Sequence, residues 1–320
     1  MKKLIALVVF VAVLWGGYWV VGSRLLVRGV QGWVQMQTEA GLEVGQTGLA
    51  VQGFPNRFDL TLTEPFLRDP ATGFGWRADW LQSLMMGWKP WHVILVAPQD
   101  WVLMTPMGDL PVQADSTRAS LVVVPGKALL IDRFTLVAEA PQVTLPTGVL
   151  AASDLRVATR RLAAGSVEQE LGVQIDGLTG TGRLAAAGTG QVKLDAVVGF
   201  SGLPGLVVAE PPVVVQTVDL REARLDWDTA SLAVTGQLAA DAQGQAEGRL
   251  EVTLTGGPVL LPLAVAAGLV PERLAPAVTA MVTRMQASAG EGKPLVLPLT
   301  FARGQMRLGI LPLGPAPFLN

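Results

Sequence analysis

The sequence has no cysteine, one histidine and one tyrosine, and only 16% of its 320 residues are charged. Each shortage removes a class of chemistry. Without cysteine there is no disulfide framework, no thiolate nucleophile and no thiolate metal ligand. The single imidazole, His92, cannot build a histidine-rich metal site and would have to serve alone in any Ser-His pairing. Lys and Arg number 24 against 26 Asp and Glu, a net charge of −2, and no run of like charge occurs. Nucleic acid is therefore not an expected partner, because neutralising phosphates takes clustered cations. The charged fraction falls below the roughly 25% of ordinary soluble domains, while half of the chain is apolar. A large apolar area has to be hidden, in a core or against an apolar ligand.

What the chain does have begins with an unbroken apolar run, Leu4 to Val21, behind Lys2 and Lys3 and ahead of Arg24 and Arg28. At about 1.5 Å per residue it makes roughly 27 Å of helix, close to the hydrocarbon thickness of a bilayer. Trp15, Tyr18 and Trp19 sit near its distal end, where amphipathic rings favour the headgroup boundary. An uncleaved single-pass anchor is expected. The competing reading is a cleaved secretory signal, which has a shorter apolar core and an Ala-x-Ala-like site; Gly22-Ser23-Arg24 supplies no such site. The slight cationic excess before the run places the N-terminus inside and the main domain outside. From Leu25 to Ala40 the apolar residues Leu26, Val30, Trp33 and Val34 keep helical spacing, and Gly41 is a natural stop. The chain thus reads as an anchor at 1–23, a helical extension at 24–41 and a β-rich extracytoplasmic domain at 42–320.

Beyond Gly41 the period becomes two. Leu49 and Val51 lead into Gly53-Phe54-Pro55-Asn56, composed like a type II turn, and Phe58, Leu60 and Leu62 then alternate with polar residues. Short strands are expected at Ala119 to Val124, Ala128 to Ala138, Val143 to Leu145, Asp154 to Thr159, Val167 to Ile175 and Val192 to Val198, separated by Pro- and Gly-containing turns. Leu220 to Thr255 forms a three-stranded meander with one apolar face, on which Ala223, Leu225, Trp227, Leu232, Val234, Leu250, Val252 and Leu254 recur. Val259 to Val270 suggests a short buried helix. Leu274, Val278, Met281 and Met285 make one helical stripe with Gly290 as its stop, and strands return at Leu295 to Phe301 and Gln305 to Ile310. The fold class is mainly β: large antiparallel curved sheets with an N-terminal transmembrane helix and a C-terminal helix packed on the sheet.

Residues Trp76 to Trp101 hold five tryptophans, with a helix-like piece over Trp80 to Met85 and a strand over His92 to Val96. Trp76, Trp80, Trp88, Trp91 and, from the meander, Trp227 are the candidate lining of an apolar groove or a membrane-facing surface; equally, these rings would fill a core. The remaining chemistry is sparse. Gly199-Phe200-Ser201-Gly202-Leu203 misses the nucleophile elbow at its last position. Gly180-x-Gly182-x-x-Ala185 is not followed by a helix, and Gly126-Lys127 and Gly292-Lys293 lack the hydroxyl and spacing of a phosphate loop. Asp226 and Asp228 share a strand face as a glycosidase pair would, but Arg224 beside them suits a solvated ion pair. No enzyme and no cofactor are expected.

Four stretches carry a resemblance. They are Gly53-Phe54-Pro55-Asn56-Arg57-Phe58-Asp59; Trp76-Arg77-Ala78 through Lys89-Pro90-Trp91-His92-Val93-Ile94; Leu225-Asp226-Trp227 with Gly236-Gln237-Leu238 and Gly244-Gln245-Ala246-Glu247-Gly248; and Gly304-Gln305-Met306-Arg307-Leu308-Gly309. As an ordered set the sequence resembles the bacterial domain of unknown function 2125 family, and the resemblance implies a membrane-anchored protein of the bacterial inner membrane with its main domain in the periplasm. It implies no activity. The meander is also similar, more distantly, to repeating β-groove proteins of the AsmA-like kind. Two functions follow as expectations: a non-enzymatic envelope protein holding a lipid or another amphiphile in an apolar groove, or an assembly protein holding an envelope protein partner through its sheet.

Overall fold

The apolar run and the amphipathic stretch behind it form one helix, α1 (Lys2–Glu39). Gly41, at φ +94°, closes it: Gly41 N–H donates to Thr38 O and Leu42 N–H to Gln37 O, the Schellman arrangement that a Cβ-free residue permits. This computed structural model describes residues 1–126, 128–182, 185, 188–207, 211–256, 260, 265, 273, 275–289, 293–309 and 311–319. Contacts group the chain into two compact units, Met1–Phe134 with Gly205–Ala209, and Thr135–Pro204 with Glu210–Asn320. Both are built of antiparallel strands.

In the first unit the strands are β1 (Glu43–Gly45), β2 (Gly48–Gln52), β3 (Arg57–Thr63), β4 (Phe66–Arg68), β5 (Gly75–Ala78), β6 (Trp80–Met86), β7 (Lys89–Ala97), β8 (Asp100–Thr105), β9 (Gly108–Gln113) and β10 (Ser116–Val124). They pair in two series, β2–β3–β6–β7–β10 and β1–β4–β5–β8–β9. Each consecutive couple, such as β3 with β4, is one long strand broken at a crease. The breaks contain Pro65 and Pro98, which cannot donate to a ladder, and Glu64 at φ +48°. Backbone bonds from Glu64 N–H to Asp79 O and from Ala114 N–H to Gln99 O carry the pairing across it. On the β3 side, Val51, Leu60, Leu95 and Ala119 fall in register on one face, and Phe58 and Leu60 are buried there.

In the second unit β11 (Leu130–Glu139), which starts in the first, leads to β12 (Gln142–Leu145), β13 (Gly148–Ala151), β14 (Asp154–Arg161), β15 (Glu168–Gly180), β16 (Gly190–Phe200), β17 (Val215–Trp227), β18 (Ala230–Ala240) and β19 (Ala246–Thr255). After the helix α2 (Ala275–Ala289) come β20 (Leu295–Ala302), β21 (Gln305–Leu308) and β22 (Leu311–Pro315). From β14 to β22 every strand pairs with its sequence neighbour. The crease recurs: Ala140 at φ +48° and Pro141 separate β11 from β12, and Gly177 at φ +64° accompanies a bulge in β15.

Val278 and Val282 of α2 bury against Leu295 and Leu297 of β20, with Met285 beside them. The expected stripe thus packs on the sheet through Val278 and Met285, and Val282 joins it one turn after Val278. Leu274, Gly290 and, apart from Leu260 and Val265, the 259–270 stretch lie outside the described residues. Two expectations need correction. Trp80 to Met85 is strand β6, not helical, because its register against Arg57–Thr63 gives every residue a cross-strand partner. The Gly53–Asn56 segment closes through Arg57 N–H donating to Gly53 O at 2.8 Å, one residue longer than the type II turn expected.

Candidate functional site

The alternation of β14 to β20 places apolar side chains in register across the second unit. One row runs Val157, Val173, Leu194, Ala223, Val234, Val252, Leu297; the next runs Leu155, Ile175, Val192, Leu225, Leu232, Leu254, Leu295. No polar residue interrupts either. Only their last members, Leu297 at 4% exposure and Leu295 at 6%, are buried, and these are the ones under α2. The rest are half-buried. Towards α2 partial covers exist: Leu225 and Leu232 pack around Trp227, Ala230 and Leu260, while Leu220 and Val234 pack against Leu250 and Phe301. Among the described residues no large side chain falls below 2% exposure. Outside β20 these continuous rows stop short of the full burial of a close-packed interior.

The opposite face of the same strands is polar. Arg160 pairs with Glu170 at 2.5 Å, Lys193 with Glu222 at 2.7 Å and Arg224 with Asp226 at 2.7 Å. The hydrogen bond from Arg160 holds the Glu170 carboxyl below its ordinary range, with Arg221 adding to the effect. Glu222 raises Lys193, and Asp226 raises Arg224. Each pair is a solvated cross-strand or same-strand contact of small energetic weight. An open concavity of about 1000 Å³ lies on this side, lined by Asp219, Gln237, Glu247, Arg249 and Glu251 among others. Its lining mixes these charged groups with Val218, Leu238 and Ala239.

Four of the five candidate tryptophans belong to the first unit, where they stand on different strands and turns. Trp76 and Trp80 are half-buried on β5 and β6, whose strands pair in different series. Trp88, in the turn between β6 and β7, is 59% exposed, and Trp91 is 39% exposed. Trp227 belongs to the second unit and is 2% exposed, packed among leucines, with no open face to offer a ligand. His92 Nε2 lies 3.0 Å from Ser120 Oγ across β7 and β10, a satisfied cross-strand pair whose neighbours in register are Ile94 and Val122. Ser201 Oγ accepts from Val214 N–H in a turn. Asp226 is occupied by Arg224, and Asp228 stands in the turn at φ +52° rather than beside it on the strand.

The lining residues Leu155, Val157, Val173, Ile175, Val192 and Leu194 were not singled out by the sequence, although their strands were. Period two was the signal; only the register shows that the patterns line up.

The chain belongs to the family described as "uncharacterized protein conserved in bacteria (DUF2125)", whose family model matches residues 19–317. No curated protein and no solved structure matches it.

Proposed function

We propose that this member of the bacterial family is a non-enzymatic envelope protein, anchored in the inner membrane by residues 4–21 with its main domain in the periplasm, and that its second unit holds a lipid or similar amphiphile along the two apolar rows. The observation that carries the reading is that both rows, outside β20, stop short of full burial. Apolar surface left in water is unfavourable by about 25 cal/mol per Å², so an apolar ligand that covers what remains accessible is favoured. Five steps from β14 to β19, short of the β20 residues under α2, at about 4.8 Å give a track of roughly 24 Å. One bilayer leaflet contributes about 15 Å of hydrocarbon, so an extended acyl chain fits within the track. Each methylene covered would contribute about 0.8 kcal/mol, offset by the loss of translational and conformational freedom on binding.

Chemistry supports the absence of catalysis in this reading: the track presents only hydrocarbon, and on the opposite face Arg160–Glu170, Lys193–Glu222 and Arg224–Asp226 are ion pairs. The apolar helix supports the anchor, since an 18-residue window of it reaches a mean hydropathy of 2.4 and is 0% buried.

Native mass spectrometry of the full chain, extracted in mild detergent and followed by organic extraction, tests the proposal. A stoichiometric phospholipid or glycolipid is the expected result. A protein that stays empty after incubation with membrane lipids, and that retains a polypeptide instead, overturns it in favour of partner binding through the sheet.

A further inference from the structure

The first unit is fastened to the upper part of its own apolar helix. Trp15 Nε1 donates to Asn56 Oδ1 at 3.1 Å in the β2–β3 turn and Trp19 Nε1 to O of Arg57, the residue that opens β3, at 2.7 Å; Tyr18 OH donates to Gly87 O in the β6–β7 turn. The rings continue the contact, Trp19 meeting Phe54 edge-on at 5.5 Å and Tyr18 meeting Phe58 at 6.1 Å. Gly22 lets the helix lie flush, because a Cβ there would come within 2.6 Å of the Phe58 ring. The helix and these two turns therefore share one height.

That height is inside the apolar run. From Leu4, where the run begins after Lys2 and Lys3, to Trp15 is about 17 Å of helix, well short of the roughly 30 Å of a hydrocarbon core. If the whole run to Val21 is immersed, Trp15 and Trp19 lie about 3 to 9 Å below its distal end. The two turns go with them. Their exposed side chains are suited to that place: Phe54 is 61% exposed, Trp88 59% and Met86 45%. Residues 53–58 and 85–91 contain no acidic residue, while Lys89 stands exposed beside Trp88. Aromatic rings favour the headgroup level, and a cation there is attracted to anionic lipid.

Resting on the anchor reading above, we infer that the β2–β3 and β6–β7 turns are a second membrane contact, inserted through Phe54, Met86 and Trp88 into the interface of the leaflet that α1 leaves. The bilayer is thus gripped by a helix and two turns, and α1 cannot swing as a loose tether.

The native absence of cysteine makes the test direct. Full-length Val8→Cys, Phe54→Cys, Trp88→Cys and Met107→Cys variants are labelled with an environment-sensitive fluorophore in vesicles of phosphatidylethanolamine and phosphatidylglycerol. Met107, 85% exposed on the β8–β9 turn, is the aqueous reference. The expected result is a blue shift and quenching by shallow lipid-borne nitroxides at positions 54 and 88, deeper quenching at position 8, and neither at 107. Met86→Cys repeats the reading without removing the Phe54 ring from Trp19. Labels at 54, 86 and 88 that behave like 107, while position 8 is quenched from the lipid, overturn the inference and leave the anchor intact. An aqueous position 8 overturns the anchor as well.

Discussion

The two ends of the strand array in the second unit are made from the same rows of side chains and finish differently. At the β20 end Leu295 and Leu297 lie under Val278 and Val282 of α2, and Trp227 is enclosed by Leu225, Leu232 and Leu260. At the β14 end Leu155, Val157, Val173 and Leu194 carry the same alternation but stay half-buried. The difference teaches that a period-two pattern specifies which face is apolar, whereas a second element decides whether that face becomes core. Where α2 is present the rows act as core; away from it they stay half-buried, and this is the part that the proposal assigns to a ligand.

Truncation experiments sharpen the contrast. Trp227→Ala should have the largest effect, destabilising by about 3–5 kcal/mol as a buried aromatic deletion that leaves a cavity, read as a lowered denaturant midpoint. Leu297→Ala, under α2, should lose about 2–5 kcal/mol. Gly190→Ala follows: its Cβ would stand 2.5 Å from the Trp227 ring, forcing a buried side chain to move at a cost of about 1–3 kcal/mol. At the open end Leu194→Ala should lose only about 1 kcal/mol, an ordinary value for a point change without a large cavity, while Leu194→Asp should spare the fold and abolish lipid recovery. An equal loss for Leu194→Ala and Leu297→Ala would erase the distinction between the two ends.

The polar face gives the smallest effect. Because the Glu170 carboxyl is held below its ordinary range by Arg160, its contribution is present at neutral pH, above the unfolded value, and is lost as pH falls through the lowered folded value. Glu170→Gln should therefore lower the thermal midpoint slightly at neutral pH and leave it unchanged in acid, so that the decline with falling pH is flatter, in a pH series of thermal midpoints. A large loss at neutral pH would show that the ion pairs, not the apolar rows, hold these strands.

Much of the architecture was legible in residue patterns. The β17–β19 meander was visible because Ala223, Leu225 and Trp227 alternate strictly with charged residues, and α1 because its apolar run to Val21 is followed by apolar residues at helical spacing up to Gly41. Trp80-Leu81-Gln82-Ser83-Leu84-Met85 misled because its apolar pairs recur at a spacing of four; as a strand it puts Leu81 and Met85 on one face and Trp80 and Leu84 on the other. The roles of the tryptophans were open in the sequence for a different reason. Aromatic content says that area must be hidden but not by what: Trp227 is hidden by its own unit, while Trp88 is left outside. The lining of β14 to β16 was hidden from the sequence because register is a property of pairs of strands. The seating of Phe58 against Gly22 was equally invisible, since it joins residues distant in sequence.

The most direct measurement is site-specific photo-crosslinking in native membranes, with a photoreactive phenylalanine analogue placed at Leu194 or at Leu297 of the full chain and the adducts analysed by mass. The groove account predicts a lipid adduct at position 194 and none at position 297. Lipid adducts at neither position, or a polypeptide adduct at 194, would contradict it.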